Sequence, residues 1–123
     1  MIKINLVRCG LRGGLPATLQ LKETELLDLA FNDITGVVPS NLFTLPKLQS
    51  LLLSRNSLTG SIVFTTPINS RMKEIILGNN RLVGRIPESI SVMTNLESLT
   101  VSYNSNRIDS LFNHMLSTSH FRV

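Results

Sequence analysis

The sequence predicts an α/β repeat solenoid, in which one short structural unit stacks on itself five times. The first observation is an asparagine, once replaced by cysteine, that recurs at intervals of 23, 24, 24 and 24 residues. An apolar residue precedes each of these positions by three, and a glycine follows the first four of them by four. A fixed interval of this length is typical of repeats that share one continuous core. The recurring positions are Cys9, Asn32, Asn56, Asn80 and Asn104, and the glycines are Gly13, Gly36, Gly60 and Gly84.

Each repeat opens with alternating apolar residues, as in Leu27 and Leu29 or Ile75 and Leu77. A period of two predicts a short β-strand that presents these side chains on one face. Strands this short are stable only when they pair with others. We therefore expect these strands to stack into one parallel sheet.

The asparagine follows the strand, where the chain turns. Its side-chain amide both donates and accepts hydrogen bonds, so it can satisfy backbone groups that the turn would otherwise bury unpaired. Repeated in every unit, these side chains are expected to form a structural ladder through Cys9, Asn32, Asn56, Asn80 and Asn104. The ladder position accounts for Cys9 without a nucleophilic or metal-binding role.

The second half of each repeat carries its turn and convex segment. Glycine tolerates the positive φ angles of a tight turn, and an apolar residue followed by proline comes next, as in Ile86-Pro87. Leu42 and Leu45 are three apart, which suits one turn of 3₁₀- or α-helix on the convex side. The predicted repeats are 1–23, 24–47, 48–71, 72–95 and 96–108, followed by a degenerate tail at 109–123.

These residues combine into the pattern L-x-x-L-x-L-x-x-N-x-L-x-G-x-I-P-x-x-L-x-x-L over residues 1 to about 104. The chain therefore resembles the plant-type leucine-rich repeat of receptor-like kinases, receptor-like proteins and polygalacturonase inhibitors. The resemblance implies a right-handed coil with the parallel sheet on its concave side and a second sheet beside it. It also implies an extracellular or cell-surface location, and binding without catalysis or a cofactor. The family's cysteine-paired caps are absent, which favours a fragment of a longer receptor or a truncated descendant of one.

The third repeat departs from the pattern. Val63 stands where proline is expected, and Thr66 and Asn69 stand where leucine is expected. We expect the convex side of this repeat to pack differently from its neighbours.

Composition and charge exclude several classes of function. The formal charge is +4, but Lys and Arg are scattered, whereas a nucleic-acid-binding protein would cluster them. No segment approaches the ~20 apolar residues of a membrane span. His114 and His120 both lie in the tail, so no catalytic or metal site is predicted. The positive charge reflects either a solvated surface or an attraction to an acidic partner, such as a pectin-like polysaccharide or an acidic protein.

Solenoids usually bind through the concave sheet, so the candidate contacts are the non-leucine positions of its strands. Small residues in one column would let an extended peptide approach the sheet, and aromatic residues and Arg are favoured interface anchors. The candidate partner-binding residues are Asp28, Phe31, Leu52, Arg55, Ile76 and Tyr103. We expect Leu52 and Ile76 to form an exposed apolar pair. The alternative is that all six are ordinary surface residues of a shared scaffold.

By resemblance, the chain is expected to recognise a protein or peptide ligand, or a co-receptor, in signalling. One alternative is an inhibitor of a cell-wall-degrading enzyme, which would block a fungal pectinase. Another is a truncated product that serves only as a scaffold.

The tail provides a prediction of its own. Leu111, Phe112, Met115 and Leu116 are spaced for a helix with one apolar face, which would cover the last repeat as a C-terminal cap. The rival interpretation is a disordered or frame-altered tail. We expect amide hydrogen exchange to show protection from Leu111 to Leu116, and unprotected amides there would rule out the cap.

Overall fold

The computed structural model describes residues 1–101 and 104, which contain eight strands and two 3₁₀-helices. The strands are β1 (Ile2–Asn5), β2 (Arg12–Gly14), β3 (Thr24–Asp28), β4 (Asp33–Val37), β5 (Ser50–Leu52), β6 (Ser57–Thr59), β7 (Glu74–Ile76) and β8 (Ser98–Thr100). The 3₁₀-helices are η1 (Ser40–Thr44) and η2 (Glu88–Val92). The cap predicted within the tail 109–123 lies outside the described residues, and the boundaries of the five repeats stay a prediction.

The first sheet confirms the predicted solenoid. Its strand order is β1-β3-β5-β7-β8, and every neighbouring pair is parallel. Equivalent residues stand in register, so that Leu27 pairs with Leu51, Leu51 with Ile75, and Ile75 with Leu99. These side chains are buried, and so is the apolar residue two positions after each of them, just past the end of the strand. The alternating pattern therefore places one face of each strand in a core that runs the length of the coil.

A second parallel sheet, of order β2-β4-β6, follows the turns. This is the additional sheet that the resemblance implies. The turn glycines have positive φ angles, for example 73° at Gly60. A Cβ added to Gly60 would lie 2.8 Å from Cγ1 of Val37 in the repeat before. Glycine at this position therefore suits the backbone conformation, and any larger residue would also require the Val37 side chain to move.

The convex side is built from η1 and η2, each of which begins after a proline, Pro39 or Pro87. Leu42 and Ile90 are buried in these helices. Proline has a fixed φ and lacks an N–H group, so it suits the start of a helix. The predicted helical segments are present, and both are 3₁₀.

The third repeat packs differently, as its sequence suggests. Asn69 occupies the position of a leucine and is buried. Its side-chain amide nitrogen donates to Leu48 O at 2.7 Å, and its Oδ1 accepts from Arg71 N at 2.8 Å, so both ends of the buried amide are hydrogen-bonded. Phe64 packs edge-on against Phe43, with ring centroids 4.8 Å apart. An aromatic pair and a buried amide thus replace the leucine packing used by the neighbouring repeats.

The asparagine side chains connect successive repeats. Nδ2 of Asn56 donates to Leu53 O in its own repeat and to Leu29 O in the repeat before, at 3.1 and 3.0 Å. Its Oδ1 accepts from Ile34 N at 3.1 Å. Asn32, Asn80 and Asn104 make the same kind of bonds. Cys9 N donates to Asn32 Oδ1, and Cys9 Sγ lies 3.5 Å from Val7 O.

The ladder predicts a large stability difference between two asparagine variants. Asn80 is buried, and its Oδ1 accepts a hydrogen bond from Leu58 N. Asn80→Ala removes this acceptor and leaves the buried N–H of Leu58 unpaired. We expect the free energy of unfolding to fall by about 2–4 kcal/mol, since each unpaired buried group costs about 1–3 kcal/mol. Urea denaturation followed by circular dichroism measures this change.

The matched control is Asn95→Ala. Asn95 is exposed and donates one bond from its side chain, to Ser70 O at 2.8 Å. Its loss is expected to cost less than about 1 kcal/mol, in the range of an ordinary surface substitution. Equal destabilisation by the two variants would contradict a special role for the ladder.

Candidate recognition surface on the concave sheet

Three of the candidate residues, Asp28, Leu52 and Ile76, lie side by side on neighbouring strands of the concave sheet and form a first column. The backbone register aligns Asp28 with Leu52 and Leu52 with Ile76. Leu52 and Ile76 are half-buried, not fully exposed as the sequence suggested. Neighbouring strands lie only about 4.8 Å apart, so adjacent apolar side chains shield each other's flanks. The pair is a shallow apolar patch rather than a protruding one.

Asp28 has a structural contact within its own repeat. Its Oδ1 accepts a hydrogen bond from Ala30 N at 3.1 Å, and Asn5 accepts from Val7 N in the same way at 3.2 Å. The carboxylate of Asp28 is half-buried. Part of its hydrogen-bonding capacity therefore supports the end of the strand.

Small residues separate the two candidate columns. Ala30 and Gly78 are buried, and Ser54 between them is half-buried. These residues rise little above the backbone, so they form a low strip between taller neighbours. The expectation that an extended chain would meet little steric obstruction at this strip stays a prediction.

The candidates Phe31 and Arg55 form a second column, which lies just beyond the ends of the strands. The sequence pattern had predicted these residues to lie on the strands. Strand β3 ends at Asp28, and Phe31 follows in the turn with a φ of 59°. Arg8, Arg55 and Asn79 occupy the same place in their repeats and also have positive φ angles, between 55° and 58°. This conformation is uncommon for bulky side chains. Its recurrence in four repeats shows that the turn imposes it.

Phe31 contacts an arginine from the repeat on each side. The guanidinium carbon of Arg8 lies 4.3 Å from the centroid of the Phe31 ring, and that of Arg55 lies 5.3 Å from it. Phe31 is 39% exposed, and both arginines are exposed. We call Arg8, Phe31 and Arg55 the arginine–phenylalanine stack. It brings together two of the predicted residues, Phe31 and Arg55, on the surface.

Arg8 is not among the six candidate residues predicted from the sequence. The signal that identifies it is its spacing, because it precedes Phe31 by 23 residues and so occupies the same column one repeat earlier. Tyr103, the remaining candidate, lies outside the described residues.

Arg8 and Arg55 give this surface a positive charge. Within residues 1–101 and 104, neither Arg8 nor Arg55 forms an ion pair, whereas Lys47 pairs with Glu23 at 2.6 Å and the N-terminus approaches Glu25 at 3.9 Å. The hydrogen bond and charge of Lys47 lower the pKa of Glu23. In the part of the chain that the structure describes, no three His, Cys, Asp or Glu residues come together in a group able to hold a metal ion.

Comparison with known proteins identifies the repeat. The leucine-rich repeat family model matches residues 24–45, 47–66 and 71–93, which together make up more than half of the chain. The chain belongs to the leucine-rich repeat family. The matches fall on three successive leucine-rich repeats, which contain β3 to β7 and both 3₁₀-helices.

Plant receptors are among the similar proteins, and so is a plant ice-binding protein. Receptor-like protein 31 of Arabidopsis thaliana is 40% identical over 87 residues, which cover 69% of this chain and 10% of that protein. The structure of Pollen Receptor Kinase 3 superposes with a TM-score of 0.72 at 35% identity, covering 85% of this chain and 51% of that one. A chain of the BIR3–SERK2 complex from Arabidopsis thaliana superposes with a TM-score of 0.68 at 28% identity, covering 85% and 66%.

The leucine-rich repeats of this chain thus correspond to a small part of its curated relatives, about a tenth of the length of Receptor-like protein 31. Among the described residues, no helix has the length and apolar character needed to cross a membrane.

The effect of replacing Phe31 on stability shows whether this residue belongs to the surface or to the core. Phe31→Asn removes two exposed cation–π contacts, each worth about 0.5–1 kcal/mol. It also relieves a left-handed conformation that costs a bulky residue about 1–2 kcal/mol, and Asn79 already occupies the equivalent position. We expect the free energy of unfolding to change by less than about 1 kcal/mol in urea denaturation.

The control is Leu29→Ala in the same leucine-rich repeat. Leu29 is buried, and truncating a buried leucine costs about 2–5 kcal/mol. A loss for Phe31→Asn as large as that for Leu29→Ala would show that Phe31 belongs to the core of the repeat and is not a surface group.

Proposed function

We propose that the chain is part of the ectodomain of a plant receptor-like protein or receptor-like kinase and recognises a protein or peptide partner on its concave side. The observation that carries this proposal is the surface beside the sheet, where a shallow apolar patch, a strip of small residues and the arginine–phenylalanine stack lie next to one another. Apolar, aromatic and arginine side chains are the types that contribute most to binding energy at interfaces.

The way in which the surface is built supports recognition by rigid display. Leu52 and Ile76 are fixed by the register of β5 and β7, and backbone hydrogen bonds continue past the strands, from Phe31 N to Ser54 O and from Arg55 N to Gly78 O. Side chains on such a framework lose little conformational entropy on binding, so more of the contact energy appears as affinity.

The relatives support the same proposal. They include receptor-like proteins and receptor kinases, and one similar solved chain comes from a complex of two proteins, BIR3 and SERK2. In this role the chain would act outside the cell or at its surface, and its contribution to signalling would be binding rather than catalysis. Partners of this kind are a peptide ligand or the ectodomain of a co-receptor.

The test is a selection of random peptides against the chain, followed by affinity measurements on matched variants. Leu52→Glu places a carboxylate in the apolar patch. Val83→Glu places the same carboxylate beside the second sheet, where Val83 is 46% exposed and its N–H donates to Gly60 O. We expect the selected peptides to bind Leu52→Glu at least about ten-fold more weakly, a loss of about 1.4 kcal/mol, and to bind Val83→Glu unchanged.

The opposite pattern would overturn the proposal. If the selected peptides lose affinity for Val83→Glu and not for Leu52→Glu, the binding surface lies on the second sheet. If neither variant matters, the concave patch is ordinary surface. Circular dichroism of both variants verifies that the repeats remain folded.

A further inference from the structure

The arginine–phenylalanine stack holds two cations at a fixed spacing. Arg8, Phe31 and Arg55 come from three successive repeats, and the hydrogen bonds from Arg8 N to Ala30 O and from Phe31 N to Ser54 O keep these repeats adjacent. Strands in a sheet lie about 4.7–4.9 Å apart, so two repeats separate equivalent atoms by about 9.5 Å. The guanidinium groups lie within 4.3 and 5.3 Å of the centroid of the ring between them.

The hydrogen-bonding edges of both cations remain available. Within residues 1–101 and 104, neither guanidinium donates a side-chain hydrogen bond, so the N–H groups of both are free to donate to a ligand. Neither arginine has a carboxylate partner in the described ranges 1–101 and 104. The nearby carboxylate of Asp28 accepts a hydrogen bond from Ala30 N within its own repeat. The stack therefore presents two ordered, unneutralised forks on a chain of formal charge +4.

We propose that the arginine–phenylalanine stack binds an acidic peptide segment, with one side-chain carboxylate on each guanidinium. Planar carboxylates match the fork of arginine with two parallel hydrogen bonds. The ring orders both side chains before the ligand arrives, so less entropy is lost when those bonds form. This assignment rests on the proposed function, because it names the chemistry of the partner that the concave side recognises.

The spacing defines the ligand further. In a polyproline II segment, residues three apart lie about 9.3 Å apart on the same side, because the rise is 3.1 Å with three residues per turn. This distance matches the separation of about 9.5 Å between equivalent positions two repeats apart. In a β-strand, residues two apart on one face are separated by only about 6.8 Å. The stack thus favours acidic residues at positions i and i+3 of an extended, proline-rich segment.

The experiment uses three fluorescent peptides with the cores Glu-Pro-Pro-Glu, Glu-Pro-Glu-Pro and Gln-Pro-Pro-Gln, titrated with the full chain and followed by anisotropy. We expect the first peptide to bind with a Kd below about 1 mM, about three-fold tighter than the second and at least ten-fold tighter than the third. Equal binding of the first and third peptides, or no binding of the first up to 1 mM, would overturn the proposal.

Variants separate the stack from simple charge attraction. Arg8→Gln and Arg55→Gln are each expected to weaken binding of the first peptide at least five-fold. Arg12→Gln, which removes the same charge from an exposed residue of β2, should leave binding unchanged. Phe31→Asn removes no charge and should still weaken binding, because the two cations are no longer held by the ring. An equal loss with Arg12→Gln, or no loss with Phe31→Asn, contradicts a built site.

Two further outcomes distinguish this inference from others. If trigalacturonate binds more tightly than the peptide and is lost with Arg8→Gln and Arg55→Gln, the partner is an acidic polysaccharide and the peptide assignment is wrong. If Leu52→Glu abolishes binding of the selected random peptides while Glu-Pro-Pro-Glu does not bind, concave recognition stands and only the acidic-peptide inference fails.

Discussion

The structure depends on hydrogen bonds that no single repeat can make for itself. Strands of three to five residues are too short to be stable alone. Each turn also leaves backbone groups inside the coil, and an asparagine side chain satisfies those of two repeats together, as Asn80 does for Leu53 O and Leu77 O. Burial of the leucine side chains supplies most of the free energy that stabilises the fold. The asparagines favour one register, because their hydrogen bonds are directional and join specific backbone groups of two repeats.

Much of this fold follows from the sequence, since strict periodicity makes each repeat a copy of its neighbour. The alternation around Leu51 and Leu53 predicted the strands, and the interval between asparagines predicted which residues align. The surface was less predictable, because side-chain contacts between repeats depend on backbone conformation. A period of two does not reveal that Phe31 leaves the strand in a left-handed turn, and so it does not reveal the contact with Arg8. Half-burial of Leu52 and Ile76 likewise depends on how closely neighbouring strands pack.

The concave side combines two kinds of chemistry that favour recognition. The apolar patch contributes non-directional energy from surface removed from water, whereas the arginine–phenylalanine stack contributes directional hydrogen bonds and charge. The strip around Ala30 and Gly78 separates them and leaves room for a ligand backbone. Under the proposed function, a partner that satisfies both regions at once would need a defined order of apolar and acidic groups. Selectivity would then arise from this order rather than from the strength of any one contact.

The asparagine bonds also have a direction along the chain. Asn56 accepts from Ile34 N, Asn80 accepts from Leu58 N, and Asn104 accepts from Leu82 N, so each turn is completed by the asparagine of the repeat that follows it. A protein emerges from the ribosome with its N-terminal end first, at about 5–20 residues per second. Each turn must therefore wait for about one further repeat, or roughly 1–5 seconds at that rate, before its backbone is satisfied. During synthesis the growing end of the solenoid is always one repeat behind the length of chain available to it.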